Sequence, residues 1–157
     1  MSNKSYRLGV GIMLLNSEKK VFVGKRIDSK KTAWQMPQGG INKGETEEKA
    51  ALRELYEETG IKKIKIISKS KKIFKYEIPS FIKKNLWNNQ YVGQKQKWFL
   101  MQFKGIENKD INLNVSKSEF SDWKWIHIKD LEKSIVAFKK KMYKKIIKEF
   151  LPIIKKI

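Results

Sequence analysis

Glu54, Glu57 and Glu58 stand at i, i+3 and i+4, a spacing that in a helix projects three carboxylates from one face within a few ångströms of one another. Uncompensated, such neighbours repel, raise each other's pKa and destabilise the helix. A hard, oxygen-seeking ion such as Mg2+ or Mn2+ turns the same geometry into a binding site. The segment GGINKGETEEKAALRELYEETGI, Gly39 to Ile61, holds six of the sixteen acidic residues of a chain whose formal net charge is +20. Between Glu45 and Glu58 only Lys49 and Arg53 oppose them. A divalent cation held there could neutralise charge that builds on a leaving oxygen and acidify an attacking water.

The elements that must position these acids are legible around them. Thr46 reads as a helix N-cap, with Glu47 and Glu48 in the first turn favouring the positive end of the dipole, and Gly60 as the C-terminal stop. Ala51, Leu52 and Leu55 form the expected apolar stripe. Gly39, Gly40 and Gly44 flank a turn that must bend sharply. Arg53 and Glu57 are four apart, so Arg53 is expected to brace the carboxylates together with Glu45, both in a structural role. Upstream, Tyr6 to Asn16 and Val21 to Arg26 read as an early hairpin. Downstream, strands are expected at Ile64 to Ser68, Ile73 to Ile78, Lys97 to Phe103 and Trp123 to Ile128, with an irregular stretch containing Trp87 and Tyr91 before the third. From Lys133 to Leu151, Val136, Met142, Tyr143, Ile146, Ile147 and Phe150 recur at helical spacing, and Pro152 is expected to end or kink that helix.

Gly39, five residues, Glu45, seven residues, then Arg53-Glu54-Leu55-Tyr56-Glu57-Glu58-Thr59-Gly60-Ile61 resembles the complete signature of the Nudix hydrolases. The resemblance implies an α/β/α sandwich with a mixed central sheet, a catalytic box helix and a C-terminal amphipathic helix. It implies hydrolysis of a nucleoside diphosphate linked to another moiety, with Mg2+ or Mn2+ on Glu54, Glu57 and Glu58 and on a backbone carbonyl at Gly39. It also points to Glu119, before the Trp123-Lys124-Trp125 strand, as general base, with a box glutamate as the alternative.

Two more segments, WQMPQGG (Trp34 to Gly40) and GQKQKWF (Gly93 to Phe99), resemble the branch that holds the bacterial RNA pyrophosphohydrolases and the dinucleoside polyphosphate hydrolases. With YRLGVGI near the start and VAFKKKMYKKIIKEF near the end, the likeness spans nearly the whole chain. Arg7, Lys97 and Lys139 are cations suited to phosphate oxygens, Val136 and Phe138 offer an apolar and aromatic surface to a base, and Tyr76 is a further aromatic able to line the pocket. Ala137 stands where that branch usually has serine, so a hydroxyl contact is lost. The implied substrate is 5′-triphosphorylated RNA, trimmed to a 5′-monophosphate end that promotes RNA decay. Diadenosine tetraphosphate is the alternative; free nucleotides, or a basic RNA-binding domain with a vestigial box, stand further off.

At 157 residues and 40% hydrophobic composition the chain is expected to form one domain, residues 1–157. No run of eighteen apolar residues suggests a membrane span, and Leu8 to Leu15 is too short and too closely followed by Glu18, Lys19 and Lys20 to be a signal peptide. The absence of cysteine excludes disulfides and thiolate metal sites and fits the cytoplasm, as it would other compartments; a monomer without an obligate protein partner is expected. A lone His127 excludes a histidine cluster. Of the 36 basic residues 33 are lysine, a bias consistent with an AT-rich genome, yet the resulting field still draws polyanions toward the one acidic patch.

Overall fold

The computed structural model describes residues 5–27, 33–79, 90–115 and 118–157; Trp87 and most of the expected irregular stretch lie outside them. The long strands β1 (Tyr6–Leu15) and β7 (Gly93–Phe103) run parallel in continuous register from Tyr6↔Gly93 to Leu15↔Gln102 and form the axis of one mixed sheet. Each is flanked by two shorter strands, one at either end. Along β1 these are β4 (Gln38–Gly40) and β2 (Val21–Arg26); along β7 they are β6 (Phe74–Glu77) and β5 (Ile64–Lys69). β3 (Trp34–Gln35) and β8 (Phe120–Ile126) complete the sheet by pairing with β2. The expected hairpin is therefore only a root, since β1 and β2 meet at Leu15↔Val21 before β2 turns to β8.

Alternation along the axis strands assigns the two layers. Val10, Ile12, Leu14, Phe99 and Met101 pack with Ala50, Ala51 and Leu55 of α1 (Glu47–Thr59) on one face. Met13, Leu15, Trp98 and Leu100 pack on the other with Met142, Tyr143, Ile146 and Phe150 of the C-terminal helix. This is the α/β/α sandwich with its mixed sheet. Trp98 lies fully buried across β1 because a methyl on Gly11, its register partner, would overlap the indole.

Three local expectations are corrected. Leu52 is 39% exposed and Ala50, two positions earlier, joins Ala51 and Leu55 in the apolar stripe. Gly39 and Gly40 are strand residues; only Gly44, at φ 79°, serves the turn through a left-handed backbone. The single helix expected from Lys133 to Leu151 is divided. After α2 (Glu107–Asp110) and a short turn of 3-10 helix (Ile128–Asp130), α3 (Leu131–Ser134) stops where Ile135 and Val136 are extended, at ψ 157° and 148°. Both are β-branched, and Ile135 is drawn into the core, which favours the extended form. A 3-10 turn (Ala137–Lys139) then leads into α4 (Lys140–Ile154), which contains Pro152 within its last turn and does not end before it.

Candidate active site

The box helix α1 is capped as its sequence dictates: Thr46 Oγ1 accepts the Lys49 N–H at 3.2 Å, and Gly60, at φ 73°, closes the helix by donating to the Tyr56 carbonyl. Arg53 organises the acids. Its Nε and Nη2 form a fork on Glu45, at 2.7 and 2.9 Å, and Nη2 also reaches the Gly40 carbonyl at 2.8 Å. Its Nη1 donates to Glu54 at 2.9 Å and Glu57 at 3.2 Å. The fork, together with the Asn42 N–H, holds the Glu45 carboxyl down to about 2, while these acids hold the Arg53 guanidinium above its ordinary value. One guanidinium thus ties β4 to α1 and fixes the rotamers of the acids.

The remaining acids are less compensated. Burial pushes Glu54 up, against the bond from Arg53. Burial likewise pushes Glu58 up to about 7; the Glu119 N–H donating at 3.2 Å opposes this, while the charges of Glu119 and Glu54 add to it. Glu54 and Glu58 are pushed up by burial despite the arginines near them, and partly buried carboxylate oxygens of this kind are what a hard divalent cation satisfies, so the residues present fit Mg2+ or Mn2+. Gly39 fits as well: a methyl there would overlap the Glu54 carboxylate, so only glycine lets this backbone approach the acids. Among the described residues no three acidic or imidazole groups converge as a ready-made cage; Glu54 and Glu57 lean on Arg53.

β4 divides the site. In register with β1, Gly39 opposes Val10 and looks to α1, while Gln38 and Gly40 oppose Gly11 and Gly9 and look to the other face. A methyl on Gly40 would run into the Arg7 guanidinium. Gln38 bridges two groups there, its Nε2 donating to Tyr76 Oη at 2.9 Å and its Oε1 accepting from Lys139 Nζ at 3.3 Å. Lys139, 6% exposed, sits 5.0 Å over the Tyr76 ring, and the ring of Phe138 lies 6.0 Å from that of Tyr76. Burial pushes the Lys139 ammonium down to about 7, with Arg26 repelling it and Glu119 opposing. Tyr143 pins the approach to β4 by accepting the Met36 N–H at 2.8 Å on its buried hydroxyl.

The structure gathers Glu45, Glu54 and Glu57 around Arg53 with Gly39 against Glu54, and sets Glu58 beside Glu119, where it feels the charge of Glu54. Arg7, Phe138 and Lys139 gather on the far side of β4, with Val136 half-buried at the head of the 3-10 turn. Lys97 is not brought to them. It follows the alternation of β7 onto the α1 face, and its Nζ donates to the Lys71 carbonyl at 3.3 Å between β5 and β6.

Sequence reasoning missed Arg26, which pairs with Glu119 at 3.1 Å and whose charge is felt by Glu58, Tyr76 and Lys139. A signal was present: in a chain with 33 lysines the arginines stand only at 7, 26 and 53, and all three meet here. It missed Gln94 and Gln96 too, 3% and 0% exposed, although their alternation with Lys95 and Lys97 placed both amides on one strand face.

Comparison with known proteins agrees with this geometry. Residues 5–146 match the NUDIX domain. The RNA pyrophosphohydrolase of Rickettsia typhi is 52% identical over 145 residues, 92% of this chain and 89% of that protein. The RNA pyrophosphohydrolase of Rickettsia rickettsii is 50% identical over 157 residues, 96% of this chain and 97% of that protein. Among solved structures, the E. coli dihydroneopterin triphosphate pyrophosphohydrolase superposes with a TM-score of 0.70 at 19% identity, covering 90% of this chain and 97% of that one. A C. elegans Ap4A hydrolase does so at 0.63 and 21%, covering 92% and 98%. At such identities these last two speak for the fold.

Proposed function

The chain belongs to the Nudix family, and from that premise we propose that it is an RNA pyrophosphohydrolase, removing pyrophosphate from the 5′ end of triphosphorylated RNA to leave a 5′-monophosphate. The observation that carries the substrate is the likeness, at half identity and across almost the whole chain, to curated RNA pyrophosphohydrolases. The geometry supports it with an acid cluster and a cluster of hydrogen-bond donors on opposite sides of one short strand.

In this reading Glu54, Glu57, Glu58 and the Gly39 carbonyl hold Mg2+ or Mn2+, with Arg53 and Glu45 keeping the acids in place. Held there, the ion would supply charge neutralisation for the leaving pyrophosphate and acidify the attacking water. Arg7 and Lys139 bind phosphate oxygens, and Phe138 and Val136 receive a base. Glu119, oriented by Arg26, takes the proton from water as the new P–O bond forms and the anhydride P–O bond breaks. A cytoplasmic location and a monomeric state are part of the same proposal. Among the described residues no helix is long and apolar enough to cross a membrane.

The test is a side-by-side assay, with Mg2+ or Mn2+, of triphosphorylated RNA, diadenosine tetraphosphate and free nucleoside triphosphates, compared by kcat/KM. The RNA is expected to lead. Cleavage of the dinucleotide alone would overturn the substrate assignment.

A further inference from the structure

On β7, beside the donor cluster of Arg7, Tyr76 and Lys139, three side chains form a one-way chain of hydrogen bonds. Trp98 Nε1 donates to Gln96 Oε1 at 3.0 Å, and Gln96 Nε2 donates to Gln94 Oε1 at 2.7 Å. The direction is forced. An indole N–H can only donate, so Gln96 must turn its oxygen toward Trp98 and its NH2 toward Gln94, which must answer with its oxygen. Among the described residues the chain of bonds ends at Gln94 Nε2, in a sheet row where Gln94 stands between Arg7 of β1 and Tyr76 of β6. Gly9 leaves room for this arrangement, since a methyl on it would come within 2.7 Å of Gln94 Oε1.

We propose that Gln96 and Trp98 are positioning residues that fix the Gln94 amide with its NH2 as a donor to a phosphate oxygen of the substrate. Satisfying the indole needs one acceptor. A second buried amide adds a desolvation cost without helping Trp98, and it gains a purpose when its far end meets a ligand. A phosphate oxygen only accepts, so an amide flipped the other way would repel it. Gln38 acts in the same sense from β4: its Nε2 occupies the Tyr76 oxygen and leaves the Tyr76 O–H to donate. The inference rests on the substrate being a polyphosphate, whichever one it is.

The experiment is a double-mutant cycle on the Mg2+-loaded enzyme, using the best-cleaved substrate of the side-by-side assay. That choice separates this inference from the RNA assignment, which can fail while the cycle is still read on the dinucleotide. Gln94→Leu is expected to raise KM about tenfold with kcat little changed, the loss of one hydrogen bond to a charged acceptor. Gln96→Met is expected to raise KM by a smaller factor in the parent enzyme and by none in the Gln94→Leu background. Equal effects of Gln96→Met in both backgrounds, or no effect of Gln94→Leu, would overturn the proposal. Should Gln96→Met not fold, side-chain amide NMR of the parent decides: tripolyphosphate with Mg2+ is expected to shift the Gln94 NH2 resonances and not those of Gln96, and unmoved Gln94 resonances would overturn it.

Discussion

The two sides of β4 solve opposite electrostatic problems. Toward α1, Gly39 meets carboxylates that one arginine bridges and that can take further positive charge; toward α4, Gln38 and Gly40 meet Lys139, Tyr76 and Arg7, a group of donors that wants negative charge. A polyphosphate with its cation answers both. The lesson is that a strand three residues long can separate the two halves of such a site because its side chains alternate and two of its residues have none.

Breaking the acid side should cost most. Glu57→Gln is expected to lower kcat by on the order of 10^2- to 10^3-fold while circular dichroism stays unchanged; unchanged turnover in Mg2+ would remove the metal assignment. Next comes the brace. Arg53→Lys keeps the charge but loses the fork that joins Glu45, Gly40, Glu54 and Glu57, and is expected to cost about 2 kcal/mol in denaturant unfolding together with much of the activity.

On the donor side, Lys139→Met is expected to raise KM for triphosphorylated RNA about tenfold, the loss of one charged contact. It also sharpens the comparison through pH. Folded Lys139 loses its proton near 7, whereas the unfolded side chain holds it to about 10.5. Between those values the unfolded chain binds more protons, so Lys139 makes stability rise with pH across that window. The methionine variant is therefore expected to have the higher Tm at pH 7 and a flatter pH profile; a parallel profile would contradict the burial of the ammonium. The smallest effect is expected at Lys97→Ala. With its ammonium on the Lys71 carbonyl, away from Lys139, it should change kcat/KM by no more than about twofold, within the range of surface substitutions.

The two sides also differed in how far they could be read in advance. Thr46, the glutamates, Arg53 and Gly60 lie within a few turns of one another, so helix periodicity and capping rules gave their mutual placement. The donor side draws Arg7, Arg26, Gln38, Tyr76, Gln94 and Lys139 from five strands and a 3-10 turn, and no local rule relates them. Lys97 shows the consequence: grouped with Lys139 by charge, it falls on the opposite face by the alternation of β7.

The sequence alone settled the box helix, its caps, the spacing of its acids and the approximate places of the longer strands, though not β3 or β4, because each of these follows from interactions among residues close along the chain. Only the tertiary structure decided that β1 and β7 pair in parallel and that the C-terminal segment breaks at Ile135–Val136 to deliver Lys139. It alone decided that Arg26 reaches Glu119. Those outcomes depend on which apolar faces are buried against each other over long chain separations, and burial is a property of the assembled sandwich.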